Sequence, residues 1–88
     1  MHEIDSLRRE MDRLNRQLRD LLQQRARLAL RIGRIKRQRG LRLADPARER
    51  AMLAAVLRRP GKGFDQQRLE RIFRAVFRAS RTLLTDQK

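Results

Sequence analysis

The sequence has no cysteine, tryptophan or tyrosine, and only two prolines, four glycines and a single histidine. Without cysteine there is no disulfide framework and no thiolate metal site, and nothing demands an oxidising compartment. The lone histidine, His2, sits at the start of the chain, which removes a histidine-based triad and a histidine metal cluster. Three phenylalanines are the whole aromatic complement, too few for the stacking platform that single-stranded nucleic acid needs. No apolar run approaches the roughly 20 residues of a membrane span. The opening Met-His-Glu-Ile-Asp lacks the basic head and apolar core of a secretory signal. Gly61 and Gly63 suit a linker better than a phosphate-cradling loop. These absences lead to the expectation of one soluble, cytoplasmic domain over residues 1–88, with no cofactor, no metal and no membrane partner.

Positive charge is what the chain has in quantity: 24 basic residues against 10 acidic ones, a net +14 over 88 residues. Such a balance points to an anionic partner, although arginines spread over solvated helix faces give the same total.

Organisation comes from one long stretch. Ile4, Leu7, Met11, Leu14, Leu18, Leu21, Leu28, Ile32 and Ile35 recur at spacings of three, four and seven, the pattern of an apolar seam along a helix. The position between Leu21 and Leu28 that should continue the seam holds Arg25. A guanidinium within a buried seam is costly unless something anionic meets it. Arg25 therefore reads either as a ligand-binding residue or as one that snorkels to solvent or sets dimer register.

The first helix is expected over 4–38, about 50 Å at roughly 1.5 Å per residue. That exceeds any globule this chain makes alone, so the seam calls for a helix from a second chain and predicts a homodimer. Gly33 within it is either simply tolerated or marks a close approach of backbone or ligand. Gly40 is the expected C-cap. Asp45-Pro46, an N-cap followed by proline at the first helical position, starts a second helix over 46–58 with an apolar stripe of Met52, Leu53, Val56 and Leu57. The turn-rich Arg59-Pro60-Gly61-Lys62-Gly63 ends it. Asp65 caps a third helix over 65–85, with Phe64 placed to staple against Leu69. Its stripe runs through Leu69, Ile72, Phe73, Val76 and Phe77 to Leu83 and Leu84, interrupted by Ser80. Residues from Thr85 to Lys88 are expected to fray. The fold class is all-α, three helices in an intertwined homodimeric bundle.

Lys36 lies 11 residues beyond Arg25, about three turns, and so faces the same way. Arg48, Glu49 and Ser80 join them as inward polar residues, with Arg8 placed to reach across a dimer. Each has an ordinary alternative. Lys36 complements the helix dipole, Ser80 bonds back to its own helix, and Glu49 pairs with a neighbouring arginine. Taken together, cations and one carboxylate among aliphatic residues suit a small dicarboxylate bearing a hydroxyl, because arginine grips carboxylates with a bidentate fork.

The motifs Leu7-Arg8, Leu22-Gln23-Gln24-Arg25, Ile32-Gly33-Arg34-Ile35-Lys36, Asp45-Pro46-Ala47-Arg48-Glu49-Arg50 and Ile72-Phe73-Arg74-Ala75-Val76-Phe77-Arg78-Ala79-Ser80 occur in this order. Their sequence resembles the all-helical class of chorismate mutase over nearly the whole chain. The fourth and fifth motifs are closest to the version associated with an aromatic-pathway (DAHP) synthase. The resemblance implies a homodimeric isomerase of the shikimate route to Phe and Tyr, rearranging chorismate to prephenate without cofactor or metal, and a possible complex with that synthase. It implies substrate carboxylates on Arg25 and on Arg8 of the second chain. Lys36 is then on a carboxylate and the ether oxygen, and Glu49 on the ring hydroxyl with Asp45 nearby. Arg48 and Ser80 complete the lining.

The sequence departs from that pattern at Leu84, where the family has Gln or Glu as second donor to the ether oxygen. Lys36 acting alone, Gln87 reaching in, a related substrate, or a binding and regulatory role are the readings this leaves. From other classes, the charge suits a basic helical dimer on nucleic acid, although no basic block stands clear of the seam. A coiled-coil adaptor predicts no small-molecule pocket at all.

Overall fold

In the computed structural model, which describes residues 2–87, the chain forms three helices: α1 (His2–Gln38), α2 (Pro46–Leu57) and α3 (Gln66–Asp86). Met1 and Lys88, the outermost residues of the expected domain, lie outside the described residues. α1 begins at His2, ahead of Ile4, with Glu3 and Asp5 in the first turn where carboxylates complement the helix dipole. It ends in a Schellman motif around Gly40, whose φ of +66° is one that glycine adopts freely. There the Leu41 N–H donates to the Lys36 carbonyl at 2.7 Å and the Gly40 N–H to the Arg37 carbonyl at 3.2 Å.

Asp45 and Asp65 both cap as their sequence context dictates. Asp45 Oδ1 accepts from the Arg48 N–H at 3.0 Å, and Asp65 Oδ1 from the Arg68 N–H at 2.9 Å. Asp65, as the cap, stands outside α3. At the other end α3 runs on through Thr85 to Asp86, beyond the expected point of fraying. Thr85 Oγ1 donates to the Arg81 carbonyl at 2.7 Å, tying the last turn to the one before it. Phe64 remains 59% exposed.

α3 packs against both other helices. The contact with α1 is close because of Gly33. A Cβ built there would stand 2.7 Å from Leu84 Cδ2, nearer than side chains approach, so the leucine lies against bare α1 backbone. Gly33 does mark a close approach, but what approaches is a leucine side chain and not the backbone or ligand expected from the sequence.

Burial within one chain is slight. Among the described residues only Gly33 and Phe77 are buried. The seam residues Leu7, Met11, Leu14, Leu18, Leu21 and Leu28 are each more than half exposed. The accessible surface is 8105 Å² for a 10.5 kDa chain, whereas a compact monomer of that mass exposes about 5,400 Å². With extents of 57 × 26 × 15 Å, the chain is a long arm carrying a small folded head.

Candidate active site

Residues of α1, α2, α3 and the α1–α2 connection line an open cavity of about 280 Å³ in the head. Arg25, Lys36, Asp45, Arg48, Glu49, Ser80 and Leu84 all line it. Arg8 does not. It lies on the exposed part of α1, about 25 Å from Arg25 along the helix at 1.5 Å per residue. Gln87 is exposed beyond the end of α3, where its N–H donates to the Leu84 carbonyl, and it does not line the cavity. The idea that it replaces the missing donor is not supported by that position.

Arg25 is half-buried and held on three sides. Its Nη1 donates to Ser80 Oγ at 2.7 Å, and its Nη2 lies 3.8 Å from Met52 Sδ. The guanidinium also stands 5.3 Å from the centroid of the Phe77 ring, a cation–π contact. Phe77 is in turn fixed by burial and by Phe73, whose ring is 6.2 Å away at 54°. Ser80 serves both its own helix and the site: its hydroxyl donates to the Val76 carbonyl at 3.0 Å while accepting from Arg25. Fixing a long cation in this way removes much of the entropy cost of ordering it when an anion binds.

Lys36, in the last turn of α1, directs Nζ toward the Leu43 carbonyl at 3.4 Å, a long contact. An ammonium has three donors, so capacity remains for a ligand. Asp45 commits one carboxylate oxygen to capping α2, and this places Arg48 and Glu49 in the first turn at the cavity wall.

The sequence reading missed Arg81. It lines the same cavity, and its Nη1 donates to Glu49 Oε1 across the α2–α3 contact. The signal was available, because Phe77, Arg81 and Leu84 are spaced by four and three on one face of α3. Including it, Arg25, Lys36, Arg48 and Arg81 face Asp45 and Glu49, two positive charges in excess. Met52, Phe77, Leu28 and Ile32 supply apolar walls. Among the described residues no three of His, Asp and Glu are placed to hold a metal ion, and no helix is long and apolar enough to cross a membrane.

A three-helix scaffold whose pocket is lined by four cations and two carboxylates defines a protein equipped to receive a small anion. Comparison with known proteins specifies which. The profile of chorismate mutase type II matches residues 7–84, and the chain belongs to that family. It is 38% identical over 87 residues to the bifunctional chorismate mutase/prephenate dehydratase of Aquifex aeolicus. That match takes in 94% of this chain and 24% of the relative, so the chain spans about a quarter of that protein's length. Among solved structures, chorismate mutase (form II) from Thermus thermophilus superposes with a TM-score of 0.93 at 37% identity, covering 98% of both chains. Chorismate mutase from Helicobacter pylori in complex with prephenate gives 0.89 at 30% identity, covering 98% of this chain and 93% of that one.

Proposed function

We propose that the chain acts as an intertwined homodimer that rearranges chorismate to prephenate at two equivalent sites, each completed by Arg8 of the partner subunit. The observation that carries this reading is the cavity's excess of positive charge, two before Arg8 of the partner subunit is added, which suits a substrate bearing two carboxylates. The excess surface supports the dimer. Each chain exposes about 2,700 Å² more than a compact monomer of its mass, and the apolar seam of α1 is among the exposed residues, surface of the kind an obligate dimer buries.

The reaction is internal to the substrate. One carbon–oxygen bond breaks, one carbon–carbon bond forms, and no proton, electron or group leaves. The protein's task is to hold the enolpyruvyl arm over the ring and to stabilise the charge that grows on the ether oxygen. Arg25, preset by Ser80 and Phe77, takes one carboxylate in its fork. Arg8 of the partner subunit takes the other. Lys36 bridges a carboxylate and the ether oxygen with the donors that Leu43 leaves unused. Glu49 accepts the ring hydroxyl, with Asp45 and Arg48 beside it. Folding the arm supplies the near-attack geometry, and Lys36 supplies preferential stabilisation of the transition state.

Leu84 lines the cavity with an apolar surface. That favours, as a second reading, a domain that binds chorismate or a relative of it and regulates rather than turns it over. The protein is taken as one cytoplasmic domain, able to associate with an aromatic-pathway synthase.

Turnover of chorismate by the purified protein tests the activity, and Arg25→Ala tests the site. Mixing tests the shared architecture. Arg8→Ala and Arg25→Ala are each expected to be inactive alone. Combined in equal amounts they recover about a quarter of wild-type activity, because half the dimers are mixed and each has one intact site. No recovery under conditions where subunits exchange would contradict a shared site.

A further inference from the structure

A second cavity, of about 390 Å³, opens on the other side of the α2–α3 contact. Its size falls within the range of about 300–1,000 Å³ typical of small-molecule sites. Arg50 and Arg78 project into it from α2 and α3, joined by Arg74 and Arg81. Leu53 and Pro46 give it an apolar floor, and Phe77 forms part of the same floor. No residue of α1 lines it, so it is separate from the exposed seam.

Two features distinguish this cluster from scattered surface charge. First, its cations are poorly matched. Arg74 is paired with Glu70 at 3.2 Å and Arg81 with Glu49, but neither Arg50 nor Arg78 has a hydrogen-bond or ion-pair partner among the described residues. These arginines are exposed, so solvent screens their mutual repulsion in part, and an anion seated among them in the cavity they line removes the remainder. Second, the cavity shares Glu49, Phe77 and Arg81 with the site described above. The wall between the two is the Arg81–Glu49 pair, with side chains 49% and 28% exposed, an ion pair of the kind that exchanges partners at little cost.

We propose that this outer cavity is a second anion site, taking a small multiply charged oxyanion of the phosphate or phosphate-ester class, and that its occupant acts on the first site by drawing Arg81 away from Glu49. The oxyanion lies among Arg50, Arg78 and Arg81, and any carbon skeleton lies on Leu53 and Pro46. Glu49, released from Arg81, becomes a free acceptor for the substrate hydroxyl. This coupling rests on the function proposed above; the binding does not.

The test titrates inorganic phosphate into the full chain by calorimetry, with ionic strength held constant by chloride. Wild type is expected to bind saturably. Arg50→Ala/Arg78→Ala should bind about 10-fold or more weakly, since two charge-assisted contacts are lost. The charge-matched Arg58→Ala/Arg59→Ala, outside the cavity, and Arg25→Ala should both stay within about 2-fold of wild type. If the alanine pair melts early, Arg50→Gln/Arg78→Gln replaces it. Binding that survives both outer variants, that is lost in Arg25→Ala, or that never saturates overturns the site. Glycerol 3-phosphate binding more tightly than phosphate supports an ester ligand, and equal binding supports the bare oxyanion. In the turnover assay, saturating phosphate should change kcat/KM in wild type and leave the outer variant unchanged. An unchanged wild-type kcat/KM with phosphate bound overturns the coupling. Absence of turnover in every sample speaks against the activity alone and leaves the calorimetry decisive.

Discussion

Replacing Leu84 by glutamine asks whether the pocket lacks one donor. Leu84 is half-buried, with Cδ2 against the α1 backbone at Gly33 and the rest of the side chain on the cavity wall. Glutamine is of similar bulk and lacks the branch, so it fits the slot and extends an amide toward the cavity. The stability cost is the loss of two half-buried methyl groups, about 1 kcal/mol at roughly 0.8 kcal/mol per fully buried carbon. The Arg37 Nη2 contact goes to the backbone carbonyl of residue 84 and survives the change. Against that stands a donor to an oxygen whose charge grows only in the transition state, worth about 2.7–4 kcal/mol in comparable sites. The rate effect is the larger one, and Leu84→Gln is expected to raise kcat by roughly 100- to 1,000-fold. KM should change little, because the ground-state ether oxygen carries little charge. Initial rates of chorismate loss across a substrate range separate the two constants, and a thermal melt confirms the fold. A folded variant whose kcat rises by less than about 3-fold would refute the reasoning. It would mean that position 84 does not reach the ether oxygen, or that Lys36 already saturates it.

Other outcomes follow from the same geometry. Arg25→Ala should lower kcat/KM by about 100-fold or more, since it removes a bidentate hold on a carboxylate, while a melt shows the helices intact. Gly33→Ala sets a gain in helix propensity of about 1 kcal/mol against an overlap with Leu84 costing about 1–3 kcal/mol. In denaturant titrations it should be neutral to destabilising in wild type, yet stabilising by about 1 kcal/mol in a Leu84→Ala background, where the overlap is gone. The same shift in both backgrounds would show that Leu84 moves aside freely. Leu18→Glu, in the exposed seam, should yield monomers by sedimentation and abolish turnover with them.

Local chemistry was readable in the sequence. Asp45-Pro46 and Gly40 set their boundaries through side-chain caps and a positive φ, which involve neighbours only. The seam and the shared face of Arg25 and Lys36 follow from helical periodicity alone. What required the fold was pairing between helices. The Arg81–Glu49 contact joins residues 32 apart, and nothing in either helix taken singly selects that partner. Gly33 admitted two readings because its purpose is a leucine on another helix, whose approach depends on how α3 settles on α1. Leu84 stood out only through the family resemblance, since a leucine in an apolar stripe attracts no notice by pattern. Arg8 is the converse case: its position on α1 was plain, and no single chain brings it to the cavity.

The sparse burial within one chain has a consequence for how the activity responds to dilution. With Phe77 and Gly33 as its buried residues among those described, a lone copy has little to hold it together. In the proposed dimer, folding, assembly and completion of the pocket then share one mass-action equilibrium. Melting temperature should rise with protein concentration. Activity per milligram should fall below some threshold of dilution, and a substrate-like dicarboxylate should lower that threshold by trapping the assembled form. Halving the amount of chain in a cell would therefore remove more than half of the working sites.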